Sequence, residues 1–197
     1  MSNNILNTII EHKLVEVAAR KKDMSIAELE AMPLFSAKTS SLKASIQEEG
    51  KTGIIAEFKR QSPSKGIINA IAGVEEVTKA YEQFGASGIS VLTDQTFFGG
   101  SLTDLSIAVA RTIPVLRKEF IVDEFQLIEA KAYGASVILL IAACLTAEKT
   151  KQLAVLAKSL GLEVLLELHD ATELGHICEE VDLVGINNRS LKSFEVN

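Results

Sequence analysis

The first fifty residues carry apolar side chains at helical spacing. Ile5, Ile9 and Ile10, then Leu14, Val17 and Ala18, recur three and four residues apart, with Glu11, Lys13, Glu16 and Arg20 opposite them. This pattern predicts a helix with one buried stripe and a charged outer face. A shorter helix is expected over 26–31, stopping before Pro33, and another over 42–48, closed by Gly50. From residue 54 the period changes. Short apolar runs at 54–59, 88–93, 114–118, 136–141, 162–169 and 182–187 alternate with amphipathic segments at 73–84, 102–111, 123–133, 147–160 and 171–180. Runs apolar on both sides suit strands of a parallel sheet, which helices cover on its faces. Gly85, Gly134 and Gly161 each follow a predicted helix, where a left-handed cap is wanted.

Strict alternation of this kind belongs to the α/β class and admits two architectures, an open doubly wound sheet or a (β/α)8 barrel. The predicted strands begin about every 26 residues on average, so eight units counted from residue 54 extend to about residue 260. The chain has 197 residues and holds six. It is expected to be an open sheet or a barrel cut after its sixth strand. No glycine-rich dinucleotide turn follows the first strand, which weighs against the open sheet. The change of period near residue 50 divides the chain into a helical extension, 1–50, and a partial barrel, 51–197.

Composition mainly excludes. With 47% hydrophobic residues and a net charge of −6, the chain is not expected to be disordered, and no basic excess points to nucleic acid. No run approaches the roughly 18 apolar residues that span a bilayer, and residues 1–22 do not read as a secretory leader. Cys144 and Cys178 lie far apart without metal-ligand spacing and read as buried thiols of a reducing compartment. A cytoplasmic protein without a metal centre is expected.

The chemistry gathers where strands end. Their closing residues are Glu57-Phe58-Lys59, Leu116-Arg117-Lys118, Glu167-Leu168-His169 and Asn187-Asn188-Arg189. Because alternate residues share a face, Glu57 pairs with Lys59 opposite Phe58, and Asn188 turns away from Asn187. Charged and amide groups at four carboxyl-terminal strand ends, in phase, are the arrangement of a barrel's catalytic mouth. A single polar strand end is more often the start of a solvated loop, and Glu57–Lys59 alone could be a structural ion pair. His169 reads as a loop or capping residue. The loop Gln61-Ser62-Pro63-Ser64-Lys65-Gly66 offers hydroxyls and an ammonium to an anion, although it is not a P-loop. Ser101 with Asp104 makes a helix cap, whereas adjacent Phe97 and Phe98, and Phe120 beyond the third strand, suggest walls for a planar aromatic substrate.

These blocks together resemble the indole-3-glycerol-phosphate synthases, (β/α)8 enzymes of tryptophan biosynthesis. The resemblance runs from residue 5 to the end: Ile5-Leu6 with Lys13 and Glu16-Val17-Ala18, then IIAEFKRQSPSKG at 54–66, VLTDQTFFGGSLTDL at 91–105, PVLRKEFIVDEFQ at 114–126 and GINNRSLKSFEV at 185–196. Glu119 and Ser190 each stand where that family usually has Asp. The family pattern also continues through two further strands whose loops hold much of the substrate phosphate.

The resemblance implies ring closure, decarboxylation and dehydration of 1-(2-carboxyphenylamino)-1-deoxyribulose 5-phosphate to indole-3-glycerol phosphate. Lys118 would be the general acid at the ketone oxygen, and Lys59 would pair with an acidic group and donate during dehydration. Glu57 and Glu167 would orient the lysines and hydroxyls, one of them taking a proton. Asn187 and Arg189 would hold polar groups including the anthranilate carboxylate. Ser62, Pro63, Phe98 and Phe120 would contact the substrate, with Leu139 and Ile141 as apolar wall. No metal or organic cofactor is implied. The alternatives are an inactive partial barrel that serves only in folding or assembly, and another phosphosugar-barrel isomerase of the same pathway. The 197-residue chain itself is expected to be practically inactive and to self-associate through its open edges.

Overall fold

A computed structural model describes residues 5–188 of the chain. Three helices come first: α1 (Ile5–Asp23), α2 (Ile26–Glu30) and α3 (Leu42–Gln47). Then follow β1 (Ile55–Phe58), a two-stranded hairpin β2 (Gln61–Ser62) and β3 (Gly66–Ile67), α4 (Val74–Gln83), β4 (Gly88–Leu92), α5 (Gln95–Phe98) and α6 (Leu102–Ala108). Next come β5 (Val115–Lys118), α7 (Phe125–Ala132), β6 (Val137–Ile141), α8 (Ala147–Ser159), β7 (Glu163–Leu168) and β8 (Leu183–Ile186). Short 3₁₀ turns at Ala142–Cys144 and Ala171–His176 follow β6 and β7.

Six strands form one parallel sheet in the order β1-β4-β5-β6-β7-β8, curled into a half-barrel with helices outside: a partial (β/α)8 barrel. Each sequence neighbour is a spatial neighbour, which rules out the doubly wound sheet. The alternation of side chains sorts two cores. Phe58, Ile89, Val91, Val115, Ile138, Leu140, Val164 and Leu166 face the helices, whereas Leu116, Val137, Leu139 and Ile141 line the concave face. Leu42 of α3, fully buried, closes the concave cluster at the amino-terminal end of the strands. Gly88 makes room for it, since a Cβ there would collide with the Leu42 side chain. Glu163, at the start of β7, accepts the Leu42 and Lys43 amides at 2.8 and 3.1 Å, which fixes α3 by its amino terminus.

Local signals account for most boundaries. Ser25 and Glu28 form a complete capping box on α2, and Ser101 caps α6 by accepting from the Asp104 amide at 3.0 Å. Gly85, Gly134 and Gly161 all adopt positive φ after their helices.

Four expectations are corrected. The buried face of α1 is Leu6, Ile9, Lys13 and Val17, while Leu14 is 53% exposed. The stripe is turned because Lys13, expected on the solvent face, meets the buried carboxylates of Asp94 and Glu119, just past the ends of β4 and β5. The segment 171–180 is a 3₁₀ turn that stops at His176; Asp170 caps it through the Thr172 amide at 2.7 Å, and Gly175 weakens any α-helical continuation. The loop after β1 is an antiparallel hairpin, and α5 is a further helix capped by Asp94. Cys144 and Cys178 are free but only half-buried. Among the described residues, no helix is long and apolar enough to cross a membrane.

Candidate active site

The carboxyl-terminal ends of the strands lie level. Leu92 on β4 stands beside Lys118 on β5, and Ile141 on β6 beside Glu167 on β7. This register brings the charged strand ends to one rim, around a cavity of about 530 Å³. Glu57, Lys59, Ser62, Pro63, Phe98, Phe120, Lys118, Leu139, Ile141, Glu167 and Asn187 all line it, although they come from seven segments of the chain. Arg189, placed in the same set by the sequence, lies outside the described residues, as does Ser190.

Two ion pairs organise the cavity. Lys59 donates to Glu57 at 2.6 Å, and Ser90 on the neighbouring strand lies 3.5 Å from the other carboxylate oxygen. Lys118 donates to Glu167 at 2.8 Å, and Asn187 Nδ2 donates to the same carboxylate at 3.2 Å. Burial alone would raise the Glu167 pKa, but the charge and hydrogen bond of Lys118, with Asn187 and His169 beside it, hold it below the ordinary carboxylate value. At neutral pH it is therefore an anion facing an ammonium. Arg117, between these residues in sequence, points the other way. It is fully buried, donating to Glu129 at 2.7 Å and to the Gln126 carbonyl at 2.7 Å.

The walls differ in character. Phe98 and Phe120 approach with ring centroids 5.9 Å apart and planes inclined by 35°, next to Leu139 and Ile141. The hairpin, which meets α5 where Gln61 Nε2 donates to the Thr96 carbonyl at 3.1 Å, supplies Ser62, Ser64 and Lys65. Charged groups together with aromatic and aliphatic surface in one cavity suit a ligand that joins a flat ring to a polar chain. Cys144, near Glu167 and Glu173, has its thiol pushed up to about 12 by burial and these carboxylates, so it is not a nucleophile here.

Three features escaped sequence reasoning. His169 sits in the bend just past β7, as expected, but its ring turns inward: both ring nitrogens are buried, and Nε2 lies 3.4 Å from Glu167 Oε1. Glu119, beside Lys118, is buried, lines the cavity, and accepts from Thr93 Oγ1 at 2.7 Å and from the Phe120 amide at 2.9 Å. Lys13 reaches it at 3.1 Å from α1. A charged residue at an apolar-stripe position of α1 was the available signal for this last contact. Among the described residues, no cluster of three or more His, Cys, Asp or Glu could hold a metal.

Comparison with known proteins bears on this arrangement. A family model described as indole-3-glycerol phosphate synthase matches residues 6–197. An indole-3-glycerol phosphate synthase of Bacteroides thetaiotaomicron is 47% identical over 192 residues, covering 97% of this chain and 74% of its own length. One from Neisseria meningitidis serogroup C is 42% identical, covering 98% of this chain and 76% of its own. Among solved structures, the carboxyl transferase domain of Rhizobium etli pyruvate carboxylase with pyruvate and biocytin aligns over 80% of this chain and 33% of its own. Its TM-score is 0.47 at 14% identity, too remote to add to the argument.

Proposed function

Since the chain belongs to the indole-3-glycerol phosphate synthase family, we propose that its strand-end cavity carries the acid–base centre of that reaction. The substrate is 1-(2-carboxyphenylamino)-1-deoxyribulose 5-phosphate. The ring carbon bearing the carboxylate attacks the ketone carbon, the ketone oxygen takes a proton, carbon dioxide leaves, and loss of water completes the indole. The observation that carries this reading is the pair of ammonium–carboxylate couples, Lys118–Glu167 and Lys59–Glu57, over one cavity with an aromatic wall. Lys118 is placed to protonate the ketone oxygen as the carbon–carbon bond forms. Lys59 supplies the proton to the departing hydroxyl. Glu167, held anionic, orients Lys118 and is the stronger candidate to accept the proton released on dehydration. Asn187 and Arg189 hold the anthranilate carboxylate, Phe98 and Phe120 the ring, and Ser62 and Pro63 the polar chain.

In this reading residues 1–50 form an extension and 51–197 the barrel segment, in a cytoplasmic protein whose two cysteines stay reduced. The 197-residue chain by itself is close to inactive and self-associates, because β1 and β8 each pair on one side only. Single-turnover conversion with protein in excess over substrate tests the centre. A slow, protein-dependent formation of indole-3-glycerol phosphate is expected, and Lys118→Ala should reduce it at least about 100-fold, the lower range for a positioned general acid. Equal conversion by the variant would remove Lys118 from this role.

A further inference from the structure

The amino-terminal helix reaches the residues behind the cavity wall through Lys13. Lys13 has no exposed surface, and its ammonium lies 2.8 Å from Glu16, 2.9 Å from Asp94 and 3.1 Å from Glu119. Asp94 and Glu119 are themselves fully buried. Two buried carboxylates brought to one ammonium repel one another, and Lys13 between them is the cation they share, while Arg117 lies 3.8 Å from Glu119 alone. Despite the burial that disfavours its charge, Lys13 has its pKa raised, by Glu119 and Asp94.

Each carboxylate anchors a different segment of the wall. The Asp94 side chain accepts the Phe97 amide at 2.7 Å and so starts α5, which ends in Phe98. Glu119 accepts the Phe120 amide at 2.9 Å. One ammonium therefore ties together the loops after β4 and β5 whose two rings meet at 5.9 Å. His12, adjacent on α1, stacks edge-on against Phe97 at 5.5 Å, a second contact between α1 and α5.

We propose that Lys13 is a positioning residue: through Asp94 and Glu119 it sets the Phe98–Phe120 wall that receives the aromatic ring of the substrate. The inference rests on the functional reading above for the identity of that ring. It assigns the extension a part in the site, although among the described residues none before Glu57 lines the cavity. Losing the ammonium frees both loops, separates the rings and weakens binding of a planar anthranilate.

The test uses the whole chain with ¹³C-labelled phenylalanine, measuring the nuclear Overhauser contact between the two rings, the thermal midpoint, and anthranilate affinity by the ligand's own fluorescence. Lys13→Met, close in volume but uncharged, is expected to lose the ring contact and to bind anthranilate at least about tenfold more weakly, while the double variant Lys13→Met/Glu119→Gln regains thermal stability without regaining the contact. A purely structural Lys13 would give contact and stability back together, which overturns the proposal. So does a folded Lys13→Met with the ring contact intact. Should Lys13→Met not fold, Glu119→Gln decides, since it leaves Lys13 paired with Asp94 and is expected to release Phe120 alone; an unchanged ring contact there also overturns the inference. If the unmodified chain shows the ring contact but binds no anthranilate, the functional reading fails and the positioning claim about the wall does not.

Discussion

Three side chains meet at Glu167: Lys118, Asn187 and His169 all reach its carboxylate. Because its folded pKa lies below the ordinary 4.5, it stabilises the fold above that value, and this contribution is lost as pH falls through the folded pKa. The stability difference between the chain and Glu167→Gln should therefore be fully present at neutral pH and shrink below about pH 4.5, read from urea unfolding at several pH values. A difference independent of pH would show that Lys118 and Asn187 do not favour the anion. The residues here were legible in the sequence for a simple reason. Strand alternation assigns Glu57, Lys59, Lys118, Glu167 and Asn187 to one face without knowledge of the fold. The inward turn of the His169 ring was not legible, because the same alternation, applied to a residue just past the strand end, says nothing of what the curved sheet brings beside it.

At the scale of elements, α3 is the piece whose importance exceeds its six residues. Its Leu42 packs with Leu116, Val137 and Leu139 in the concave core. Leu42→Ala should cost about 2–5 kcal/mol, the range for a large-to-small change in a packed core. Urea unfolding checks this, and an unchanged midpoint would mean that the base of the half-barrel does not need its plug. The sequence pattern located α3 and its close at Gly50, and the structure shows Ser41 capping its start. That it docks end-on, through Glu163, depends on a partner 121 residues away that no local pattern announces. The hairpin β2–β3 was missed for a related reason: two-residue strands carry no period.

For the molecule as a whole, the sheet edges dominate. Among the described residues β1 and β8 each pair with one neighbouring strand, and Val184 and Ile186 on β8 are 46% and 75% exposed. An exposed parallel edge with apolar side chains is prone to association. Sedimentation should show concentration-dependent self-association of the chain, reduced by Ile186→Lys. A monodisperse monomer turning over as fast as the Bacteroides thetaiotaomicron relative would show that these edges matter little. The chain spans about three quarters of the length of the relatives it matches, and a closed barrel leaves no edge to pair.

Sequence alone determined the class of the fold, the order of its elements and the face on which each strand-end charge lies. Those follow from local periodicity, from helix caps and from residue pairs two apart, each written within a short window. Tertiary structure decided between an open sheet and a curled one, since curvature is a property of the whole strand set. It also decided what the charges meet. Lys13 reads as an outward charge on α1, and only the approach of Asp94 and Glu119 from 81 and 106 positions away turns it into a fully buried cation. Burial of a charge is set by where its counter-charges converge, and that convergence exists only once the strands lie side by side.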